Sequence, residues 1–165
     1  AIAAALASTR HTFVDRDSKN KKLFFLKKQI LFDLEKEFTL GEYKNYFSKK
    51  IPTENEFIVL GPICNGSYKE PNTLPNTLLL SFINNKSKPF CNVELKKYLN
   101  KKNIIVSVGS ACSTSSTDAS HVLYSIKAPD KIRRGVIRIS LSDDNTSKEI
   151  SIFTDSLIKG VKKQM

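Results

Sequence analysis

An α+β (α/β) fold, a small sheet backed by helices, is predicted by three features of the 165-residue chain. Leu23, Leu26, Ile30 and Leu34 recur early at the spacing that puts side chains on one helix face. Short apolar runs of strand length follow, separated by Gly, Pro and Asn. The chain closes on a second amphipathic stretch opened by Thr146-x-x-Glu149, a capping box. Helices and sheet of this kind each have one apolar face to bury, and a layered domain buries them against each other.

Taken in order, Ala1 to about Val14 is helical by composition, and "KKLFFLKKQILFDLEKEF" supplies a second leading helix. The chain opens at Ala1 inside that first helical stretch, which predicts a longer polypeptide upstream. The polar patch "SKKIPTENE" ends the pattern, and "FIVLGP" reads as a first strand stopped by Gly61-Pro62. Thr77 to Phe82 gives a second strand and Asn103 to Val108 a third. Between them "CNVELKKYLN" predicts a short helix with Asn92 as its N-cap. Gly135 to Leu141 is a fourth strand, with Ile137, Ile139 and Leu141 on one face and Val136, Arg138 and Ser140 on the other. The last helix turns Ile150, Phe153, Leu157 and Val161 inward. Residues 1–48 are thereby expected to form a helical linker, and 49–165 a small domain holding a loop at about 106–118.

The formal charge is +11, and every basic residue except Arg10, Arg16, Arg133, Arg134 and Arg138 is lysine. Lysine pairs are scattered along the chain among many asparagines, as a compositional bias toward Lys and Asn would leave them. A basic surface for an acidic or nucleic-acid partner is the other reading. Nucleic-acid binders cluster such charge and interleave Arg and aromatics, so direct nucleic-acid binding is not expected. No apolar run approaches the roughly 20 residues that span a bilayer, and the Ala-rich opening lacks the basic segment of a signal peptide. Cys64, Cys91 and Cys112 stand far apart without a CxxC pair. This pattern predicts reduced thiols in a cytoplasmic or other reducing compartment and no metal site.

Chemistry concentrates in "VSVGSACSTSSTDASHVL". A Gly-Ser-Ala-Cys run after a strand predicts a loop of small residues that leaves the Cys112 thiol accessible. No His or Lys within four residues lowers its pKa, so an activating group must come from elsewhere. From the residues alone Cys112 is either an incidental thiol or a nucleophile. Likewise His121 is a helix-start or packing residue or something more, and Arg138 is a solvated strand residue or a bidentate carboxylate ligand.

These residues resemble a known pattern. "GSACS", then "SHVL", then "IRISL" is similar to the C-terminal part of cysteine desulfurases of the NifS/IscS type, pyridoxal phosphate enzymes of the class V aminotransferase group. "NG" at Asn65-Gly66 with "LPNTLLLSF", and the opening "AIAAALAS", extend the likeness over nearly the whole chain. The resemblance implies the small C-terminal domain of a fold-type I enzyme, with leading helices that join it to a large domain. It implies catalysis by Cys112 on a mobile loop of Gly109, Ser110, Ala111 and Ser113, and substrate binding by Arg138 and Asn76. It implies L-cysteine as substrate, a persulfide on Cys112, alanine as product, and delivery of sulfur to an acceptor such as an iron–sulfur scaffold or a tRNA-thiolation protein. A homodimer completed by the N-terminal large-domain half is implied too. Selenocysteine lyase or aminotransferase activity, or a non-catalytic desulfurase-like binding module, are the alternatives.

The chain departs from the pattern at Val108, Ala119, Thr73 and Ser142 to Asn145, where the family carries Ser or Thr, Pro, Arg and a Gly followed by a basic residue. The family's pyridoxal phosphate lysine sits in an S-x-H-K motif, which no lysine of this chain matches. The cofactor is therefore expected to be held mainly by the large domain.

Overall fold

The computed structural model describes residues 16–41, 55–60, 74–84, 90–108, 121–125 and 127–165. The expected helix over Ala1 to Val14 lies outside them. Helix α1 (Arg16–Glu35) buries Leu23, Leu26, Ile30 and Leu34, as their spacing predicts, together with Lys27 and Leu31. Strands β1 (Thr39–Leu40), β2 (Glu56–Val59), β3 (Thr77–Ile83) and β4 (Val136–Ser140) form one sheet in that order. β1 runs parallel to β2, while β2 with β3 and β3 with β4 are antiparallel.

Strand alternation splits the apolar residues between two faces. Phe57, Val59, Leu78, Leu80, Phe82, Ile137 and Ile139 point to the larger core with the buried stripe of α1, with α2 (Asn92–Asn100) and with α5 (Ser147–Lys162). Ile58, Ile83 and Val136 point the other way, onto α3 (His121–Ser125) and α4 (Asp130–Gly135), where Leu123 and Ile132 cover them. Each fully buried Leu or Ile is worth roughly 1.5–3 kcal/mol, so the larger core carries most of the stability. Among the described residues no helix is long and apolar enough to cross a membrane.

The close of the chain follows its sequence signals. Thr146 Oγ1 accepts from the Glu149 amide at 3.2 Å and the Glu149 carboxylate accepts from the Thr146 amide at 2.8 Å, completing the capping box. Ile150, Leu157 and Val161 are buried, with Phe153 half-buried against them.

Two expectations are corrected. The run from Asn103 to Val108 is not a strand of the sheet. Asn103 adopts φ 59°, its amide bonds the Asn100 carbonyl, and the Ile104 amide bonds the Leu99 carbonyl. That pair of bonds ends α2 as a Schellman motif, with Asn in the left-handed position. Only Ser107 then pairs, in a single antiparallel bridge to Arg138. The second correction concerns Asn92, which is the first helical residue of α2. Cys91 is the N-cap and makes no side-chain cap bond. Asn92 instead donates through Nδ2 to the Val136 carbonyl at 2.8 Å, tying α2 to the start of β4. Gln164 fastens the Cys91 end, accepting from its amide at 2.9 Å and donating to its carbonyl at 3.1 Å.

β1 and α4 have no counterpart in the expected elements. The signal for α4 is present, a Pro-Asp start and a Gly stop around "PDKIRRG". Its Gly135 is demanded by contact, because an added Cβ would stand 2.0 Å from the Phe82 carbonyl oxygen. Ser81, buried beneath the helix, donates to the Ile132 carbonyl at 2.7 Å and so satisfies both groups.

Candidate functional site

Arg138 sits at the middle of β4 between two neighbours. Leu79 of β3 is its register partner on one side. On the other, the Ser107 amide donates to the Arg138 carbonyl at 3.1 Å and the Arg138 amide donates to the Ser107 carbonyl at 2.7 Å. Paired residues of an antiparallel ladder share a face, so Leu79, Arg138 and Ser107 make one row across the sheet. Thr77 and Ser140 are paired two positions further along, and Ile105 falls on the same side by alternation.

Among the described residues, this face of the sheet is covered at one end only. At the Val136 end α3 and α4 close it. At the Arg138 end Leu79, Arg138, Ser107 and Thr77 are half-buried, Ser140 is exposed, and Ile105 is 89% exposed. A guanidinium on a partly apolar, partly open surface is well placed to take a carboxylate, since bidentate pairs strengthen where water is partly excluded.

The other described arginines are engaged. Arg133 and Arg134 reach Asp130 at 3.2 and 2.6 Å, and Arg133 lies 4.2 Å from the Tyr124 ring centroid. Partial burial pushes the Asp130 carboxyl up, but the hydrogen bonds and charges of Arg134 and Arg133 outweigh it and hold the group below its usual value. Arg16 also has its own interaction. Among the described residues the Arg138 guanidinium has no hydrogen-bond or ion-pair partner.

Asn76 is not brought beside Arg138. It lies in the turn before β3, where its carbonyl accepts from the Leu141 amide at 2.8 Å and its Oδ1 accepts from Thr77 Oγ1 at 3.3 Å. Three strand positions, roughly 10 Å at about 3.3 Å per residue, separate the two levels. Cys112 with Gly109, Ser110, Ala111 and Ser113 lies outside the described residues. His121 opens α3. Cys91 is half-buried and held by Gln164 through its backbone.

The departure at Ser142 to Asn145 serves the fold. Asn145 Oδ1 accepts from the Ser142 amide at 2.8 Å, and Lys19 of α1 pairs with Asp143 at 3.0 Å, while Lys22 donates to the Asp143 carbonyl. The Lys19 hydrogen bond and charge hold the Asp143 carboxyl below its usual value. The segment therefore fastens the first turns of α1 to the connection between β4 and α5. Ser140 was placed on the face of Arg138 by strand alternation, whereas Ser107 and Leu79 escaped sequence reasoning as its companions; period-two alternation through "IIVSV" and "TLLLSF" was the signal that could have found them.

No protein-family model matches the chain. Among curated proteins it is 35% identical over 100 residues to the cysteine desulfurase IscS of Clostridium botulinum, covering 61% of this chain and 24% of that protein. It is 29% identical over 135 residues to the IscS of Dictyoglomus turgidum, covering 81% and 31%. It is 30% identical over 122 residues to the mitosomal cysteine desulfurase of Encephalitozoon cuniculi, covering 74% and 26%. The chain is a relative of the NifS/IscS-type cysteine desulfurases and resembles their C-terminal part. It spans about a quarter to a third of these desulfurases' length. The fold agrees, since a NifS-like protein superposes with TM-score 0.58 at 21% identity over 90% of this chain and 30% of that one. A NifS-like protein from Rickettsia africae gives the same score at 20% identity.

Desulfurases of this family use pyridoxal phosphate, and the described residues do not themselves fit that group. Lys27, the buried lysine, donates to the Leu74 carbonyl at 3.0 Å from the helix that covers the opposite face. No described strand residue beside Arg138 is a lysine that could bind an aldehyde.

Proposed function

We propose that this chain supplies the substrate-clamping and sulfur-accepting half of a cysteine desulfurase, completed by a large domain that holds pyridoxal phosphate. The observation that carries this reading is the half-open sheet face, where Arg138 is half-buried and lacks a partner among the described residues. Its two donors suit the carboxylate of L-cysteine, and holding that carboxylate fixes where the substrate sulfur lies. Sulfur then passes to Cys112. The thiol becomes a persulfide, the substrate Cβ–S bond breaks, and the carbon takes the proton to leave as alanine, so that one cysteine and one thiol yield one alanine and one persulfide.

Chain connectivity supports the division of labour. Ser107 is bonded directly beside Arg138, and Cys112 follows five residues later, within about 18 Å at about 3.6 Å per residue. That reach covers both the substrate position at Arg138 and a partner beyond the rim. Gly109, Ser110, Ala111 and Ser113 have small side chains, and in this reading they keep the loop free to make the journey. Asn76, a level away from Arg138, is assigned to the rim of the substrate site. Residues 1–48 would serve as the linker to the large domain, and the completed enzyme would work as a homodimer in a reducing compartment, feeding an iron–sulfur scaffold or a tRNA-thiolation protein.

The test is mass spectrometry of the native complex after incubation with L-cysteine. One added sulfur is expected on the peptide containing Cys112, lost in Cys112→Ala. In Arg138→Lys it should fall by about tenfold or more at low cysteine, because the ammonium keeps the charge but not the planar fork. Sulfur on Cys64 or Cys91 instead, or equal loading in the Arg138→Lys variant, overturns the reading.

A further inference from the structure

α2 and α5 pack antiparallel, and the last turns of α5 lie along α2 in a contact built for close approach. A Cβ on Gly160 would stand 2.6 Å from the Tyr98 ring and 2.8 Å from Leu95, so the glycine lets the helices touch and immobilises the ring. Gln164 bonds Cys91 at the N-terminal end of α2 and so fixes the two helices against each other. On this fixed ring two lysines converge, Lys163 with Nζ 4.6 Å from the centroid and Lys102 with Nζ 5.6 Å from it. Lys97 and Lys101 flank Tyr98 at the end of α2, and Lys159 precedes Lys163 by one turn of α5.

Charge at this contact is unbalanced. Lys162 reaches Glu37, but among the described residues Lys97, Lys101, Lys102, Lys159 and Lys163 have no ion pair. The α2 C-terminus, which contributes about half a negative charge, and Glu94 and Asp155, one turn before Lys97 and Lys159, offset only part of this. Several net positive charges remain, two of them pre-positioned against one ring, which lowers the ordering cost of engaging an anion.

We propose that this surface docks an acidic polypeptide segment, whose carboxylates engage Lys102 and Lys163 across Tyr98. An acidic segment fits better than a nucleic acid. The surface holds no arginine, and Tyr98 is packed on Gly160 and flanked by lysines, so its ring is not offered for base stacking. The surface is independent of the sulfur-transfer site and stands or falls separately from it.

Titration of the 165-residue chain with a fluorescent oligo-glutamate peptide, at about 0.1 M salt where the Debye length is about 10 Å, decides the matter. Single-stranded RNA of equal charge is the competitor probe. The double variant Lys102→Glu with Lys163→Glu is expected to weaken peptide binding about tenfold or more. Tyr98→Leu should weaken it about threefold by removing the support without changing charge. Lys131→Glu with Lys148→Glu makes the same charge change elsewhere, Lys148 lying about 22 Å along α5 from Lys163, and should leave binding within about twofold. Should the first double variant lose its circular dichroism, Lys102→Gln with Lys163→Gln carries the expectation, with about a fivefold loss. Equal weakening by both double reversals, tighter binding of RNA than of peptide, or no binding of the peptide overturns the proposal.

Discussion

At Gly135 two magnitudes oppose each other, and geometry decides between them. Replacing a helical glycine by alanine ordinarily stabilises by about 0.5–1 kcal/mol, because the unfolded chain loses freedom. Here the new methyl would stand 2.0 Å from the Phe82 carbonyl oxygen and 2.9 Å from that residue's amide nitrogen. Both are backbone atoms of the central strand and cannot rotate aside. Forced overpacking costs typically 1–3 kcal/mol, and a backbone contact this short belongs at the upper end. Gly135→Ala is therefore expected to destabilise by about 2–3 kcal/mol, seen as a lower urea midpoint at unchanged slope. A neutral or stabilising result would mean that α4 does not press on β3 as closely as described.

Among the elements, α5 shows how a short motif becomes a stability term that pH can read. The Thr146 amide and hydroxyl hydrogen-bond the Glu149 carboxylate and hold it below its ordinary value of 4.5. A carboxylate depressed in the folded state contributes stability that is fully present above its unfolded value and is lost as pH falls through the lowered folded value. The stability difference between wild type and Glu149→Gln should thus be constant at neutral pH and shrink as pH drops below 4.5. Urea unfolding across an acid series measures it, and a difference that persists unchanged into strong acid contradicts the motif. The same element was readable in advance because capping is local, three residues deciding the geometry. α1 was readable for a similar reason, its buried stripe repeating over about three turns. The segment from Asn103 was not, because "NIIVSV" carries strand propensity while its first residue is used to stop α2 in the left-handed conformation. Propensity yielded there to the preceding helix. The two-residue β1 offers too little periodicity to be seen at all.

On the scale of the whole molecule, the uneven cover of the sheet is what links fold to function. Among the described residues, one face is closed from end to end by α1, α2 and α5, and the other is closed over Ile58, Ile83 and Val136 but not beside Arg138. Arg138 was legible as a candidate from the alternation of "VIRIS", but the openness beside it was not, because it depends on where α3 and α4 stop. Beside Arg138 the chain leaves Ile105 89% exposed, on the side of the sheet that a large domain would have to cover in the proposed enzyme. An exposed side chain contributes little to this domain's own folding, so Ile105→Asp should shift its unfolding free energy by no more than about 0.5 kcal/mol. Buried in an interface, the same aspartate would be an unpaired charge and would weaken the assembly strongly. The expected outcome is a variant that unfolds like wild type yet, in the native complex, loads several-fold less sulfur onto Cys112. Full loading by Ile105→Asp would show that this half of the sheet stays open in the working enzyme, and the Arg138 guanidinium, without a partner among the described residues, would then need another explanation.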